Sequence, residues 1–197
     1  MRIVAGTYRG RVIKAPKGKD TRPTTDRVRE SLMSSLCSAR GGFGGAVVLD
    51  AFAGSGALGL EALSRGAASV QFCERDGAAL RVLQDNVDRL GLAAPAARIR
   101  RIDVLRNPAL RAQPAFDLVL LDPPYACPAT DVLGLVSALR EGGSLSPRAL
   151  VAYEHSSTTS GQTDEAVASC GFVLASRRKY GDTVVDILKI EEGMPTP

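Results

Sequence analysis

The sequence predicts an α/β protein with a doubly wound, mainly parallel sheet of seven strands, a C-terminal antiparallel hairpin and a small basic N-terminal extension. Three observations support this. From residue 46 onward, short apolar runs alternate with segments of helical periodicity, the order that parallel βαβ units produce. The runs at 46–50 and 116–122 are almost continuously apolar, as in strands buried on both faces. The last two strand-like segments are joined near Gly181-Asp182, which predicts an antiparallel pair.

The individual elements follow from local patterns. Residues 2–15 alternate loosely and predict one or two short strands, and Thr24-Thr25-Asp26 offers N-cap residues for a helix at about 26–38. Asp76 is expected to cap a helix whose apolar residues recur at helical spacing from Leu80 to Leu90. The same reasoning places helices at about 58–65 and 130–140, and strands at 46–50, 69–74, 98–103, 116–122, 149–154, 172–176 and 183–190.

The basic charge is concentrated at the N-terminus. Residues 1–29 hold nine Lys or Arg against Asp20 and Asp26, which gives this segment +7 in a chain of net charge +4. A basic segment on a mildly acidic body indicates a polyanionic partner, although a solvated tail gives the same pattern. With 197 residues, we expect two parts: a basic extension at 1–40, made of short strands plus a helix, and one catalytic domain at 41–191.

Several classes of protein are disfavoured by composition. No apolar run reaches the roughly 18 residues that span a bilayer, and the first residues do not look like a secretory signal. The four cysteines are far apart and form no C-x-x-C pair, and the chain has one histidine. We therefore expect no metal site and no disulfide framework, and a monomer in the cytoplasm.

A glycine-rich loop follows the first buried strand. Gly54, Gly56 and Gly59 match G-x-G-x-x-G, and Glu74 lies 20 residues after Gly54, at the end of the next strand. This spacing is the dinucleotide-binding fingerprint, in which an acidic residue accepts hydrogen bonds from ribose hydroxyls. The glycines alone are a weak signal, and a tight strand–helix turn without a ligand is their alternative interpretation.

Two details favour S-adenosylmethionine over a dinucleotide. Asp50 stands at the end of the strand, where a carboxylate would repel a pyrophosphate but suits a cationic ligand that carries an amino group. The stretch before the first glycine is also longer than a pyrophosphate turn requires. Asp103, which ends the third strand, is placed to reach an adenine amino group, and a loop-capping aspartate is the alternative reading of this residue.

Asp122-Pro123-Pro124-Tyr125 follows the apolar strand at 116–121. Ligands of such sheets bind beyond the carboxyl ends of the strands, and two prolines stiffen the loop there. An exocyclic amine on a base is a poor nucleophile because its lone pair is delocalised into the ring. The Asp122 side chain and the Pro123 carbonyl can accept from its N–H groups, and Tyr125 offers a face for stacking. The sequence thus predicts a methyltransferase that acts on an amino nitrogen, without a metal or a covalent nucleophile.

These motifs together resemble a known family. Asp50-Ala-Phe-Ala-Gly-Ser-Gly, with Glu74, Asp103 and Asp122-Pro-Pro-Tyr, is similar to the class I S-adenosylmethionine-dependent methyltransferases of amino groups. Arg2-Ile-Val-Ala-Gly-Thr-Tyr-Arg-Gly-Arg and Arg22-Pro-Thr-Thr-Asp-Arg-Val-Arg-Glu-Ser-Leu resemble the RsmD-like bacterial 16S rRNA (guanine-N2) methyltransferases over residues 1 to 190. The Arg-Pro-Thr-x-Asp-x-Val-Arg-Glu segment is the most specific part of the resemblance.

The resemblance implies a Rossmann-like fold, S-adenosylmethionine as donor, and one guanine of 16S rRNA as acceptor, in the small ribosomal subunit or an assembly intermediate. It places the target amine against Asp122, Pro123, Pro124 and Tyr125. The predicted RNA contacts are Arg9, Arg11, Arg22, Thr24 and Arg27. The predicted cofactor contacts are Asp50, Phe52, Gly54, Gly56, Glu74, Arg75, Asp103 and Val104.

Other functions stay open at this point. Asp-Pro-Pro-Tyr also suits amino methylation of a DNA adenine or a protein glutamine, the glycine pattern alone suits a dinucleotide-binding oxidoreductase, and a non-catalytic rRNA-binding assembly factor would share the basic segment. His155 precedes the polar run 156–160 and is expected to be exposed in a loop. The cluster Arg98–Arg101 is given no role. Arg177-Arg178-Lys179-Tyr180 suits either phosphate contact or a charged hairpin edge.

Overall fold

The computed structural model describes residues 1–15, 26–107 and 111–191 of the chain. The chain forms two compact units, Met1–Asp103 and Val104–Pro197. Both units combine strands with helices, and each has a buried apolar core. Each unit carries one of the motifs that the sequence singles out, the glycine-rich loop in the first and Asp122-Pro-Pro-Tyr in the second.

The first unit is built of parallel βαβ units. Its strands stand in the order β3-β2-β1, and all of them run parallel. Parallel strands need crossover connections, which the helices between them supply. The elements are α1 (Asp26–Arg40), β1 (Val47–Asp50), α2 (Ala57–Ser64), β2 (Ser69–Glu74), α3 (Gly77–Arg89) and β3 (Ala97–Arg101).

Local sequence explains these elements. Val48, Leu49 and Asp50 of β1 are all buried, as expected for a central parallel strand. The Asp76 side chain accepts hydrogen bonds from the backbone N–H groups of Ala78 and Ala79 at 3.0 and 2.8 Å, so the predicted N-cap of α3 is confirmed.

The N-terminal segment, residues 1–15, packs onto α2 and α3. Arg2 and Val12 form one isolated antiparallel bridge, and Ile3 and Ile13 are buried. The carboxylate of Glu61, fully buried on α2, accepts hydrogen bonds from the backbone N–H groups of Val4 and Ala5 at 2.8 and 3.0 Å. This segment is therefore an ordered part of the first unit.

The second unit is a mixed sheet with two helices. Its strands stand in the order β4-β5-β7-β6, with β4 and β5 parallel and β7 antiparallel to both β5 and β6. A short 3-10 turn at 157–159 connects β5 to α5. The elements are β4 (Phe116–Leu121), α4 (Ala129–Glu141), β5 (Leu145–Ser156), α5 (Ser160–Ser169), β6 (Phe172–Tyr180) and β7 (Thr183–Ile190).

The predicted fold class is confirmed, since the described residues form seven strands that are mainly parallel, and the last two of these strands form an antiparallel hairpin. The structure differs from the sequence-based expectation in several places. Residues 2–15 form no strand but only the isolated bridge between Arg2 and Val12, because the short turn between them leaves room for a single pair. The strands β5 and β6 are longer than the predicted ranges 149–154 and 172–176. His155 is buried within β5 with 3% of its surface exposed, so the expected exposed loop is wrong. A further helix, α5, forms from the polar segment Ser160–Ser169, which has few apolar residues to mark a helical face.

Candidate cofactor and acceptor sites

The carboxyl ends of β1, β2 and β3 meet at one edge of the first unit, because the three strands are parallel and in register. The glycine loop, residues 51–56, leaves β1 at this edge and leads into α2. Gly54 and Gly56 have φ of +53° and +81°, a region that side chains other than glycine rarely adopt. A Cβ on Gly54 would meet no atom within 4 Å, so a ligand can approach the backbone there.

Glu74 at the end of β2 holds the glycine loop. Its Oε2 accepts from the N–H of Gly54 at 2.8 Å, and its Oε1 accepts from the N–H groups of Arg75 and Asp76, both at 2.7 Å. A carboxylate has about four acceptor positions. Within the described residues three of them are used, which leaves room for one ribose hydroxyl.

Asp50 is buried behind the loop, with 1% of its surface exposed. Its Oδ2 accepts from the N–H of Gly59 at 3.0 Å, in the first turn of α2. A Cβ on Gly59 would lie 2.3 Å from the Phe72 ring and 2.8 Å from Val70. The third glycine of the motif therefore lets α2 pack directly against β1 and β2, whereas Asp50 fixes the start of the helix.

The other predicted cofactor residues lie near the same edge or next to it in sequence. Arg75 Nη1 donates to Asp103 Oδ2 at 3.1 Å, with 64% and 21% of the two side chains exposed. Phe52 is half-buried in the glycine loop. Val104, whose side chain is buried, directly follows Asp103 in the chain and begins the second unit.

The donor set at this edge fits S-adenosylmethionine. Asp50, Glu74 and Asp103 bring three carboxylates to the ends of adjacent strands, which matches a ligand with a positive charge, an amino group and ribose hydroxyls. The open face at Gly54 matches a ligand that lies against the backbone. Beside Glu74, the thiol of Cys73 is buried, and burial raises its pKa to about 12, so this cysteine is a neutral part of the core.

In the second unit, the acceptor loop, residues 122–128, follows β4. Asp122 is half-buried and Pro123 is buried, whereas Pro124 and Tyr125 are exposed. The N–H of Cys127 donates to the carbonyl of Pro124 at 2.9 Å, which closes the loop as a tight turn. The four predicted catalytic residues are consecutive, and the loop presents them together.

Contacts of its hydroxyl group with β5 and β7 fix the position of Tyr125. The hydroxyl lies 2.9 Å from Oγ1 of Thr183, at the start of β7, and 3.4 Å from Oε1 of Glu154, near the end of β5. Partial burial raises the pKa of Tyr125, and the nearby carboxylates of Glu154 and Asp122 raise it further. The phenol is therefore neutral at physiological pH, and 43% of the residue's surface stays accessible to a partner.

A cavity of about 210 Å³ opens beside the acceptor loop, and its walls include side chains that sequence reasoning missed. Tyr153, Glu154 and His155, from the end of β5, line it together with residues 123–129. Burial raises the pKa of Tyr153 to about 12, with smaller effects of Cys127 and Asp186. The only sequence signal for these residues is their position at the carboxyl end of a strand next to β4.

A network of hydrogen bonds and ion pairs adjoins the cavity through His155. His155 Nε2 is 3.1 Å from Asp186 Oδ2, and the Arg177 guanidinium donates to both oxygens of Asp186 at 2.7 Å. Arg177 also pairs with Asp164 at 2.6 Å. Within the cluster Arg177–Tyr180, Arg177 thus makes contacts inside the protein.

Three of the five residues that are predicted to contact RNA are described by the structure. Arg9, Arg11 and Arg27 are exposed, and Arg11 Nη2 donates to the carbonyl of Arg89 at 2.6 Å. Arg22 and Thr24 lie outside the described residues. Arg29, two residues after Arg27, is fully buried with its Nε 3.9 Å from Glu61 Oε2. The most specific motif of the sequence therefore includes a structural arginine.

Known proteins match this architecture over nearly its whole length. A family model described as Conserved hypothetical protein 95 matches residues 1–189. The chain belongs to this family. Ribosomal RNA small subunit methyltransferase D of Haemophilus influenzae is 38% identical over 157 residues, which cover 78% of each chain. The protein of the same name from Escherichia coli is 38% identical over 154 residues, covering 78% of this chain and 74% of the relative.

Solved structures give the same result. A structure from Escherichia coli named as the methyltransferase yhhF superposes with a TM-score of 0.78 at 32% identity, covering 97% of this chain and 98% of that chain. A ribosomal protein L11 methylase from Lactobacillus delbrueckii, at 16% identity, shares the fold with a TM-score of 0.66, covering 90% of this chain and 82% of the other. The predicted Rossmann-like fold and the methyltransferase class are confirmed.

Among the residues that the structure describes, no helix is both long and apolar enough to cross a bilayer. No group of three or more His, Cys, Asp or Glu side chains among them is arranged to hold a metal ion.

Proposed function

We propose that this protein transfers a methyl group from S-adenosylmethionine to the exocyclic N2 of one guanine in 16S rRNA, in the small ribosomal subunit or an assembly intermediate. The observation that carries the proposal is the rigid Asp122-Pro-Pro-Tyr loop beside a base-sized cavity, in a chain whose relatives are named ribosomal RNA small subunit methyltransferase D. The proposal includes a monomer that acts in the cytoplasm, where small subunits are assembled.

The acceptor loop supplies the chemistry at nitrogen. In the proposal, the Asp122 carboxylate and the Pro123 carbonyl accept hydrogen bonds from the guanine amine, which frees the lone pair of N2 for attack. N2 gains the methyl group and loses one proton, which the Asp122 carboxylate receives. The buried wall at Pro123 and the exposed ring of Tyr125 orient the base and exclude water.

The edge of the first unit would bind the cofactor. Asp50 and Glu74 complement the amino and ribose groups, Asp103 the adenine amino group, and the glycine loop gives backbone access, with Phe52, Arg75 and Val104 at its border. S-adenosylmethionine supplies a methyl group on a positively charged sulfur, which leaves as a neutral thioether. The chain's own task is to fix the distance and angle between donor and acceptor.

The basic extension would bind RNA. We propose that residues 1–40 form this extension on a methyltransferase domain at 41–191, with Arg9, Arg11, Arg22, Thr24 and Arg27 facing phosphates. The exposure of Arg9, Arg11 and Arg27 supports this role. Such contacts release counterions, so RNA affinity should fall as the salt concentration rises.

The test measures methylation in cells and with purified protein. Deletion of the gene should lower the N2-methylguanosine content of 16S rRNA, and small subunits from the deletion strain should accept one methyl group per particle from the purified enzyme. Asp122→Ala should lower kcat by about 100-fold or more, whereas Asp131→Asn, an exposed aspartate on α4, should not. An unchanged N2-methylguanosine content would refute the function, and methylated DNA adenine or protein glutamine would identify the acceptor instead.

A further inference from the structure

The cavity beside the acceptor loop contains a buried carboxylate with no role in the chemistry above. We propose that Glu154 recognises the acceptor base, by accepting a hydrogen bond from the N1–H group on the Watson–Crick edge of guanine, next to the amine that Asp122 and Pro123 hold. The inference rests on the proposed function, and it makes Glu154 the residue that selects guanine rather than another amino-bearing base.

The position of Glu154 follows from strand register. Leu121, the last residue of β4, is paired with Tyr153 of the parallel strand β5, so Asp122 and Glu154 are the next residues on neighbouring strands. Glu154 Oε1 lies 3.4 Å from the hydroxyl of Tyr125, which belongs to the same acceptor loop as Asp122. Asp122 and Glu154 can therefore contact different atoms of one flat base.

The cavity matches the size and character of such a base. Its volume of about 210 Å³ is below the roughly 300–1,000 Å³ of drug-sized ligand sites. Pro123, Tyr125 and Tyr153 give it flat or apolar walls, and Glu154, of which 7% is exposed, is among its buried polar residues. Bases extruded into enzyme pockets are read in this manner, by stacking and by hydrogen bonds to the Watson–Crick edge.

The hydrogen-bonding pattern of guanine explains the choice of a carboxylate. Guanine presents donors at N1 and N2, and a carboxylate only accepts. Adenine and 2-aminopurine present an unprotonated N1, whose lone pair would face the negative charge of Glu154. Burial makes this mismatch costly, because neither group can turn to water.

Holding Tyr125 in place does not require Glu154. The Tyr125 hydroxyl lies 2.9 Å from Thr183 Oγ1 and 3.4 Å from Glu154 Oε1, so the shorter hydrogen bond is the one to β7. If Glu154 had only a structural role, it would affect methylation through its contact with the Tyr125 hydroxyl. The variant Tyr125→Phe, which removes both contacts and keeps the ring, separates the two roles.

The experiment compares two acceptor bases in the same RNA. The methylated guanine is first located in small subunits treated with wild-type enzyme. Reconstituted subunits then carry either guanine or 2-aminopurine at that position, since 2-aminopurine keeps the exocyclic amine and lacks the N1 proton. We expect the wild type to prefer guanine in kcat/KM by about 10- to 100-fold.

Glu154→Gln should narrow this preference by about tenfold or more, because its amide can donate to an unprotonated N1. Tyr125→Phe should keep the wild-type preference even if its overall rate falls. Glu165→Gln, the same change at an exposed site on α5, should match the wild type for both bases. Thermal unfolding of each variant verifies that it is folded.

The outcomes separate the inference from the proposed function. A wild-type enzyme that prefers neither base overturns the inference without any variant. The inference is also overturned if Glu154→Gln lowers kcat/KM for guanine and for 2-aminopurine by the same factor. It is likewise overturned if Tyr125→Phe reduces the preference for guanine as much as Glu154→Gln does. Either result assigns Glu154 a structural role. Absence of guanine methylation by the wild type refutes the proposed function itself, and the inference with it.

Discussion

Nε2 of His155 lies 3.1 Å from Oδ2 of Asp186, and the two buried side chains connect β5 to β7. Arg177 of β6 donates to both oxygens of the same aspartate. Three strands of the second unit are thus joined by one carboxylate. Glu154 on β5, next to His155, lines the cavity, so the network supports the wall of the acceptor site.

Asp186→Asn should destabilise the second unit. The change removes the negative charge that compensates Arg177, and we expect the free energy of unfolding to fall by about 2–4 kcal/mol, since Arg177 is 28% exposed and partly solvated. Asp164→Asn is the matched control, because its carboxylate pairs with the same arginine but is 55% exposed. It should cost less than about 1 kcal/mol, as measured by urea unfolding.

The same network predicts a dependence on pH. Burial raises the pKa of Asp186, but the hydrogen bonds from Arg177 and His155 outweigh it and leave the pKa below its ordinary value of 3.8. The resulting stability is fully present above pH 3.8 and is lost as the pH falls from there through the lower folded value. The difference between wild type and Asp186→Asn should therefore shrink in acid, and a constant difference would contradict the assignment.

Gly59→Ala and Gly134→Ala should change stability in opposite directions. A Cβ on Gly59 would lie 2.3 Å from the Phe72 ring, whereas one on Gly134, in α4, meets nothing within 4 Å. Overpacking at Gly59 should cost about 1–3 kcal/mol, and Gly134→Ala should gain about 0.4–1 kcal/mol. Thermal and urea unfolding test this pair, and a stable Gly59→Ala protein would show that α2 can shift away from the sheet.

Glu74→Gln should weaken cofactor binding while the fold is kept. The substitution preserves the shape of the side chain but puts an amide where the carboxylate accepts three backbone N–H groups. We expect the Kd of S-adenosylhomocysteine, measured by calorimetry, to rise about tenfold or more. Glu141→Gln, exposed at the end of α4, serves as control. Unchanged affinity in a folded Glu74→Gln protein would remove Glu74 from the cofactor site.

Glu61→Gln should loosen the N-terminal segment. The buried carboxylate accepts from Val4 and Ala5 and pairs with Arg65 at 2.9 Å, and removing a buried charge partner costs about 3–5 kcal/mol. Hydrogen exchange at Val4 and Ala5 should accelerate more than in the strands. Glu30→Gln, a change at an exposed site on α1, should leave the hydrogen-exchange rates of Val4 and Ala5 unchanged. Equal acceleration throughout the protein would mean that the segment has no stability of its own.

Local signals in the sequence were sufficient for most of the fold. The helical spacing after Asp26, the cap at Asp76 and the apolar runs of β1 and β4 are short-range patterns, and the structure confirms them. The helix α5 was missed because Ala166 and Val167 are nearly its only buried apolar residues, too few to mark a periodic face.

The candidate site was less predictable. The glycines and acidic residues of the first unit lie at strand ends that can be identified along the chain, so the structure brings them to one edge as expected. The burial of His155 depends on Asp186, 31 residues later, and the cavity beside the acceptor loop depends on strand pairing between β4 and β5. Contacts between residues so far apart in the chain produce no periodic pattern, so the sequence alone does not predict them.

The bond between Tyr125 and Thr183 has a consequence for biosynthesis. Its partners are 58 residues apart in the chain, and β7, which begins at Thr183, is synthesised after β4, β5 and β6. A nascent chain on the ribosome therefore emerges with its acceptor loop unanchored until this late strand has been translated and paired with β5. Because contacts of long sequence separation form late, we expect the base pocket to form only after β7 has been synthesised, when the first unit already has all of its described strands.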